Sequence, residues 1–182
     1  MKISTPYLII ALIIGNIMLF IQMRKAKILS SGSPIDITPA KKCALSMTVK
    51  SIETDMKLIK YISHRNGITI PALQMRTMFS KLLPCLSTSK TNLNVEVNST
   101  ASGWVLPNYK KNTMWLSAKW WDKLDIIEQA HTIIHECSHL TLNTYDYAYI
   151  HDEKYIHLRG KNATSNADTL TSIIIELNNY IC

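Results

Sequence analysis

Glycine is scarce in this sequence, five residues of 182, and so is charge: Asp, Glu, Lys and Arg make up 18%, while hydrophobic residues reach 47%. That balance excludes a disordered chain, and the length suits one ordinary domain with its own core rather than two. None of the four cysteines, Cys43, Cys85, Cys137 and Cys182, belongs to a C-x-x-C pair, which argues against a structural zinc knuckle. No internal repeat is visible. The excess of 20 basic over 13 acidic residues gives +7, but it is scattered, with short runs only at Arg24-Lys25-Ala26-Lys27, Lys41-Lys42 and Lys110-Lys111. Neither a basic helix nor an RNA-binding signature accompanies these runs, so nucleic acid is not an expected partner. A monomer is expected.

Charge is missing altogether between Lys2 and Arg24, where "YLIIALIIGNIMLFI" is apolar apart from Gly15 and Asn16. A run of about 20 uncharged residues can just span a bilayer, and a signal-peptide core is usually shorter. Residues 1–29 therefore read as a signal anchor or signal peptide. The absence of a small-x-small cleavage site before "SSGSP" favours an anchor that stays on and binds a membrane. Arg24, Lys25 and Lys27 follow the run and outweigh Lys2, which by itself would keep the domain cytoplasmic. The extreme N-terminal position argues the other way, and a secreted or membrane-anchored domain on the extracytoplasmic side is the favoured reading. Disulfides are then permitted, and Cys43 with Cys85 is the expected pair. Cys137, in line with Ala130, Ile134 and Thr141 at helical spacing, reads as a core-packing residue.

"SSGSPIDITPAKK", polar with two prolines, predicts a linker over 30–42, and the domain is expected over 43–182. Val49, Ile52, Met56, Ile59 and Ile62 recur at helical spacing from Ser46 to Asn66, with Gly67 as the stop. A second helix is expected from Pro71 to Leu83, ended by Pro84. "NLNVEVN", "GWVLP" and "NTMWLS" predict strands. Helical pattern returns from Leu124 to about Leu142, and again from Ser165 to Ile181, where Leu170, Ile173, Ile174, Leu177 and Ile181 form one stripe. The expected fold is α+β, helix-dominated, with a small antiparallel sheet. Trp104, Trp115, Trp120 and Trp121 read as core and cleft wall. Asn98-Ser99-Thr100 and Asn162-Ala163-Thr164 are glycosylation sequons if the host is eukaryotic.

The chemistry lies in "HTIIHECSHLTLNTYDYAY", residues 131–149. His135 and His139 stand one turn apart on one helix face, so both rings can meet on one ion. Glu136 is rotated by about 100° from His135 and can reach a water on that ion without being a ligand. This is the pattern of a zinc site with a general base: zinc lowers the water's pKa toward about 7 and the glutamate takes its proton. A catalytic zinc needs a third protein ligand. The metzincin pattern is excluded, because Leu142 and Tyr145 stand where glycine and histidine are required. Glu176, His151, His157 and Asp146 remain as candidates.

With Thr144-Tyr145-Asp146-Tyr147-Ala148-Tyr149 following "HECSH", the chain resembles the aspzincin metalloendopeptidases, deuterolysin and the lysine-preferring enzymes, whose pattern is H-E-x-x-H followed by G-T-x-D-x-x-Y-G. Asn166-Ala167-Asp168 is similar to the N-A-D stretch on the last helix of the lysine-preferring members. The resemblance runs from about Trp104 to Cys182 and implies a zincin-like metallopeptidase domain holding one Zn2+ and acting on protein or peptide substrates. It further implies His135, His139 and Asp146 as zinc ligands, Glu136 as base, and Tyr149 as donor to the oxyanion. Thr144 is implied to orient Asp146, and Asp168 to bind a substrate lysine. Asn143 and Ile150 replace the family's two glycines, and the gap from His139 to Asp146 is shorter than usual. Thr171, where a second family carboxylate would stand, cannot pair with an ammonium. "GWVLPNYKKNTMWLS" can supply an edge strand for substrate backbone. Two other readings compatible with the sequence are a zinc amidase acting on cell-wall peptides and a noncatalytic binding relic of the same fold.

Overall fold

The computed structural model describes residues 36–94, 102–105 and 113–178. The expected anchor or signal over 1–29, the second half of "NLNVEVN" and Ile181 lie outside the described residues. Among the described residues no helix is long and apolar enough to cross a membrane.

Helix α1 (Thr38–Glu53) starts inside the stretch expected as linker, so Thr38 to Lys42 are helical. Pro39 sits in the first turn, where its missing N–H costs no hydrogen bond and its fixed φ suits the helix, and Ala40 is already in the core. The single helix expected from Ser46 to Asn66 is two, because Thr54 turns to extended backbone and Asp55 caps a new helix, α2 (Met56–Arg65), by accepting from Lys57 N at 2.7 Å. Arg76 donates to the Thr54 carbonyl at this break, at 2.7 Å. Helix α3 (Ala72–Thr88) runs through Pro84 instead of ending there. The ring removes one backbone hydrogen bond. The last turn persists because Cys85 and Leu86 are buried and Ser87 and Thr88 hydroxyls return to the carbonyls of Leu83 and Pro84.

Three strands follow: β1 (Lys90–Asn94), β2 (Gly103–Val105) and β3 (Thr113–Ser117). Strands β2 and β3 form the expected antiparallel pair, with Trp104 opposite Trp115, and β1 adds a parallel strand on the far side of β3. A short helix α4 (Ala118–Trp121) leads into α5 (Ile126–Leu142). Then come a 3-10 turn (Tyr155–His157), α6 (Gly160–Thr164) and α7 (Ala167–Asn178).

Helix α5 is the centre of the domain, packing against α1, α3, α7 and β2. Its start is fixed by a reciprocal cap: Asp125 Oδ1 accepts from Ile127 N and Glu128 N, and Glu128 returns a bond to Asp125 N. Ile133 and Ile134 are fully buried, as are Met47 of α1, Phe79 and Leu82 of α3, and Ile173 and Ile174 of α7, the helices that pack on α5. Each such side chain contributes about 1.5–3 kcal/mol by leaving water. The disulfide joins Cys85 to Cys137, tying α3 to α5, rather than Cys43 to Cys85. Cys43 is disulfide-bonded too, but not to Cys85. The core-facing position read for Cys137 is the reason: the same face that packs on α3 brings its sulfur to Cys85, with the Cα atoms 5.7 Å apart.

Candidate metal centre

His135 and His139 project from the same side of α5, and Asp146 returns to meet them from the loop that follows. The Nε2 atoms of the two rings are 3.1 Å apart, and Asp146 Oδ1 lies 3.0 Å from the first and 3.2 Å from the second. Among the described residues these three form the group able to hold a metal ion. Zinc bonds of about 2.0–2.1 Å in tetrahedral geometry place neighbouring ligand atoms about 3.3 Å apart, so the spacing fits zinc closely. Asp146 is partly exposed and, with His135, His139 and Glu136, lines a cleft of about 780 Å3.

Both rings are oriented from behind. His139 Nδ1 lies 2.9 Å from the Thr144 carbonyl, which can only accept, so Nδ1 donates. His135 Nδ1 lies 2.9 Å from Asp168 Oδ1. Burial disfavours charge on Asp168, but the His135 hydrogen bond and nearby His131 outweigh it and hold the carboxyl below its ordinary value, so it too accepts. With both Nδ1 atoms donating, both Nε2 atoms converge on the point that Asp146 faces, and there they would be free to ligate once their protons are displaced, as in carboxylate–histidine–metal arrangements. Hydrogen bonds from His135 and His139 keep the Asp146 carboxyl far below the usual range. Burial disfavours the imidazolium of His135, yet hydrogen bonds to Asp146 and Asp168 overcome it and raise its pKa to about 10. His139 is shifted in the same direction, burial being outweighed by Asp146 and the Thr144 carbonyl.

The loop carrying Asp146 is built without the glycines of the resembled pattern. Asn143 ends α5 in the left-handed region, with φ 52°, which asparagine tolerates far better than most residues. Tyr145 then pairs with the start of α7, its N–H donating to Ser165 O and its carbonyl accepting from Ala167 N. Asn166 completes the clamp: its Oδ1 accepts from Tyr147 N and Ala148 N, and its Nδ2 donates to Ala148 O. Asp146 is held between these contacts.

Glu136 is buried at the cleft floor, where burial raises its pKa to about 7 against the opposing pull of His135 and His139. Tyr149 stacks its ring on His135, with centroids 6.0 Å apart and planes 11° off parallel, and burial followed by the charge of Asp146 raises its phenol to about 12. Two residues make contacts that the resemblance did not imply. Thr144 supports His139 rather than Asp146, and its hydroxyl is 2.7 Å from Ser138 Oγ, which donates to the His135 carbonyl. Asp168, expected to meet a substrate lysine, is buried: one oxygen serves His135 and the other accepts from Ile150 N at 2.6 Å. The other candidate ligands lie outside the cluster. Glu176 pairs with Arg65 and Asn66, His157 sits in the exposed 3-10 turn, and His151 lines the cleft without joining the group.

Four residues contribute in ways that the sequence reading did not assign. Gly103 packs on Glu136, Ser138 braces the ligand helix, and Asn166 clamps the loop. His131, one turn before His135, brings a buried Nε2 to 3.6 Å from Asp168 Oδ1, and burial lowers its pKa to about 4. The helical spacing of His131, His135 and His139 was the signal available for the last.

No protein-family profile and no curated protein matches the chain. Among solved structures, a zinc peptidase from Grifola frondosa matches with a TM-score of 0.57 at 21% identity, over 78% of this chain and 91% of that one. The chain thus has the helix-dominated α+β fold expected from its sequence and shares that fold with this zinc peptidase.

Proposed function

We propose that the protein is a zinc-dependent metalloendopeptidase of aspzincin type, cutting peptide bonds in protein or peptide substrates. One observation carries the proposal: two Nε2 atoms and one carboxylate oxygen converge at 3.0–3.2 Å, each ring held from behind by its own Nδ1 acceptor, beside a buried glutamate. His135, His139 and Asp146 would hold the zinc, which when bound polarises a water and the scissile carbonyl. Glu136, buried beside the three ligands, would accept the proton of the attacking water and pass it to the leaving amine. Tyr149, at the cleft wall over His135, donates its phenol proton toward the developing oxyanion. Strand β2 lines the same cleft through Gly103, Trp104 and Val105, and its outer edge offers backbone groups to an extended substrate. The apolar run over residues 1–29 fits a domain held at a membrane or exported, acting as a monomer on the extracytoplasmic side.

The test is zinc content by plasma mass spectrometry on the purified full chain beside Asp146→Ala, together with digestion of denatured casein. One zinc per chain, lost in the variant, with zinc-dependent casein cleavage abolished by Glu136→Gln, is expected. Full zinc in Asp146→Ala removes the ligand assignment; cleavage of cell-wall peptides but not casein replaces the endopeptidase with an amidase.

A further inference from the structure

Gly103 occupies a position in the cleft wall that leaves no room for a side chain. A Cβ built on it would lie 2.9 Å from Thr132 Cγ2 and 3.2 Å from both Cγ and Oε1 of Glu136. The first distance is well inside van der Waals contact, and the other two are tighter than ordinary packing allows. Backbone freedom is not the reason for glycine here; the close approach of β2 to α5 is.

Neither wall can step back to make room. On one side Gly103, Trp104 and Val105 are laddered to Leu116, Trp115 and Met114 of β3, and Ser117 N donates to the Ser102 carbonyl at 2.9 Å. Ser102 Oγ reaches Thr132 Oγ1 at 3.3 Å, pinning the strand end to α5. On the other side α5 is fixed by the core and by the Cys85–Cys137 disulfide, one residue beyond Glu136. The gap between Gly103 and Glu136 is therefore set by two rigid elements. The glutamate side chain is the movable part.

We propose that Gly103 is a positioning residue for Glu136: the bare backbone of β2 is the wall on which the glutamate side chain rests, and a single methyl group there would drive the carboxylate away from its place beside His135 and His139. This inference rests on the reading of Glu136 as the base, but the contact itself is testable without activity.

The experiment compares the parent with Gly103→Ala, Glu136→Ala, Gly103→Ala with Thr132→Ser, and Gly103→Ala with Glu136→Ala, all in the full chain. With zinc bound, Gly103→Ala is expected to keep one zinc per chain and a KM within about twofold of the parent, while kcat falls about tenfold or more, as misplacement of a reacting group by a fraction of an ångström does. Thr132→Ser removes the nearest clashing methyl and keeps the hydroxyl, so it should recover thermal stability without recovering kcat. Recovery of kcat by Thr132→Ser, or loss of zinc in Gly103→Ala, would overturn the proposal. In metal-free protein with chelator, the thermal midpoint lost on Gly103→Ala should shrink by about half or more when Glu136 is already alanine, the signature of two residues in contact. An equal drop in both backgrounds sinks the idea. A parent chain that hydrolyses no peptide would refute the peptidase reading and leave this metal-free comparison intact as the test of the contact.

Discussion

Asp168 Oδ1 lies 2.9 Å from His135 Nδ1, while Oδ2 of the same carboxylate accepts from the Ile150 N–H at 2.6 Å. One buried side chain thus ties together α5, the first turn of α7 and the segment just beyond the Asp146 loop. Such a carboxylate fixes the imidazole tautomer and raises its basicity toward a metal. Asp168→Ala should weaken zinc binding by about 10–100-fold, and Asp168→Asn, which can still accept from Nδ1, should weaken it less. Competition with a chromogenic chelator measures both. Unchanged affinity in Asp168→Ala, with cleavage lost only before lysine, would return Asp168 to substrate recognition.

The protonation of the cluster sets a pH dependence for the metal-free fold. His135 has a folded pKa raised to about 10 from an ordinary value of 6.5, so between those values the folded state binds more protons than the unfolded. Unfolding free energy therefore falls as pH rises through this window; the stabilisation is complete below about 6.5 and gone above about 10. In chelator, the thermal midpoint should be lower at pH 10 than at pH 6.5, at roughly 2–4 °C for each kcal/mol in a domain of this size. Zinc should reverse the trend, because protons compete with the metal for Nε2 and apparent affinity rises with pH. A metal-free midpoint that climbs from pH 6.5 to 10 would contradict the proposed pairing of His135 with Asp146 and Asp168.

Asn166 makes three hydrogen bonds to the Tyr147–Ala148 backbone and one to Thr169 Oγ1 from a fully buried position. Asn166→Ala leaves those groups without partners and should cost about 1–3 kcal/mol for each one that stays buried. Because Asp146 rides on the clamped loop, zinc affinity should fall as well. Asn166→Asp keeps the acceptor for Tyr147 and Ala148 and loses the donor to Ala148 O, so it should fall between. Urea unfolding and zinc titration of the three proteins decide this, and a loss of stability with unaltered zinc affinity would uncouple the clamp from the metal centre.

The Cys85–Cys137 disulfide closes a loop of 52 residues and joins the end of α3 to the ligand helix. By the loop-entropy argument its removal as Cys85→Ser with Cys137→Ser should cost up to about 4 kcal/mol. Both cysteines are buried, so mild reductant should leave the native bond intact and break it only on unfolding. Thiol labelling before and after denaturation, with the midpoints of the two forms, checks this. Rapid native-state reduction would place the bond at an accessible surface.

Much of the candidate cluster was legible because helical geometry is local. His135, Glu136 and His139 needed only a spacing of four and a capped, apolar-faced helix to fall on one side, and the Asp125–Glu128 cap sits within four residues of sequence. Asp146 could be named as one candidate among four, and resemblance singled it out. What holds it depends on Asn143 turning left-handed and on Asn166, which binds the loop from the start of another helix.

The sequence by itself determined the periodicities: a helix-dominated domain, two imidazoles one turn apart, and a glutamate rotated beside them, because these follow from 3.6 residues per turn. Only the tertiary structure decided which carboxylate meets the two Nε2 atoms and which backs His135 at Nδ1, that Cys137 finds Cys85, and that a glycine in β2 must touch Glu136. Those relations join residues from 7 to 52 positions apart in the chain, and their distances are fixed by how the core packs α5 against its neighbours rather than by any spacing along the chain.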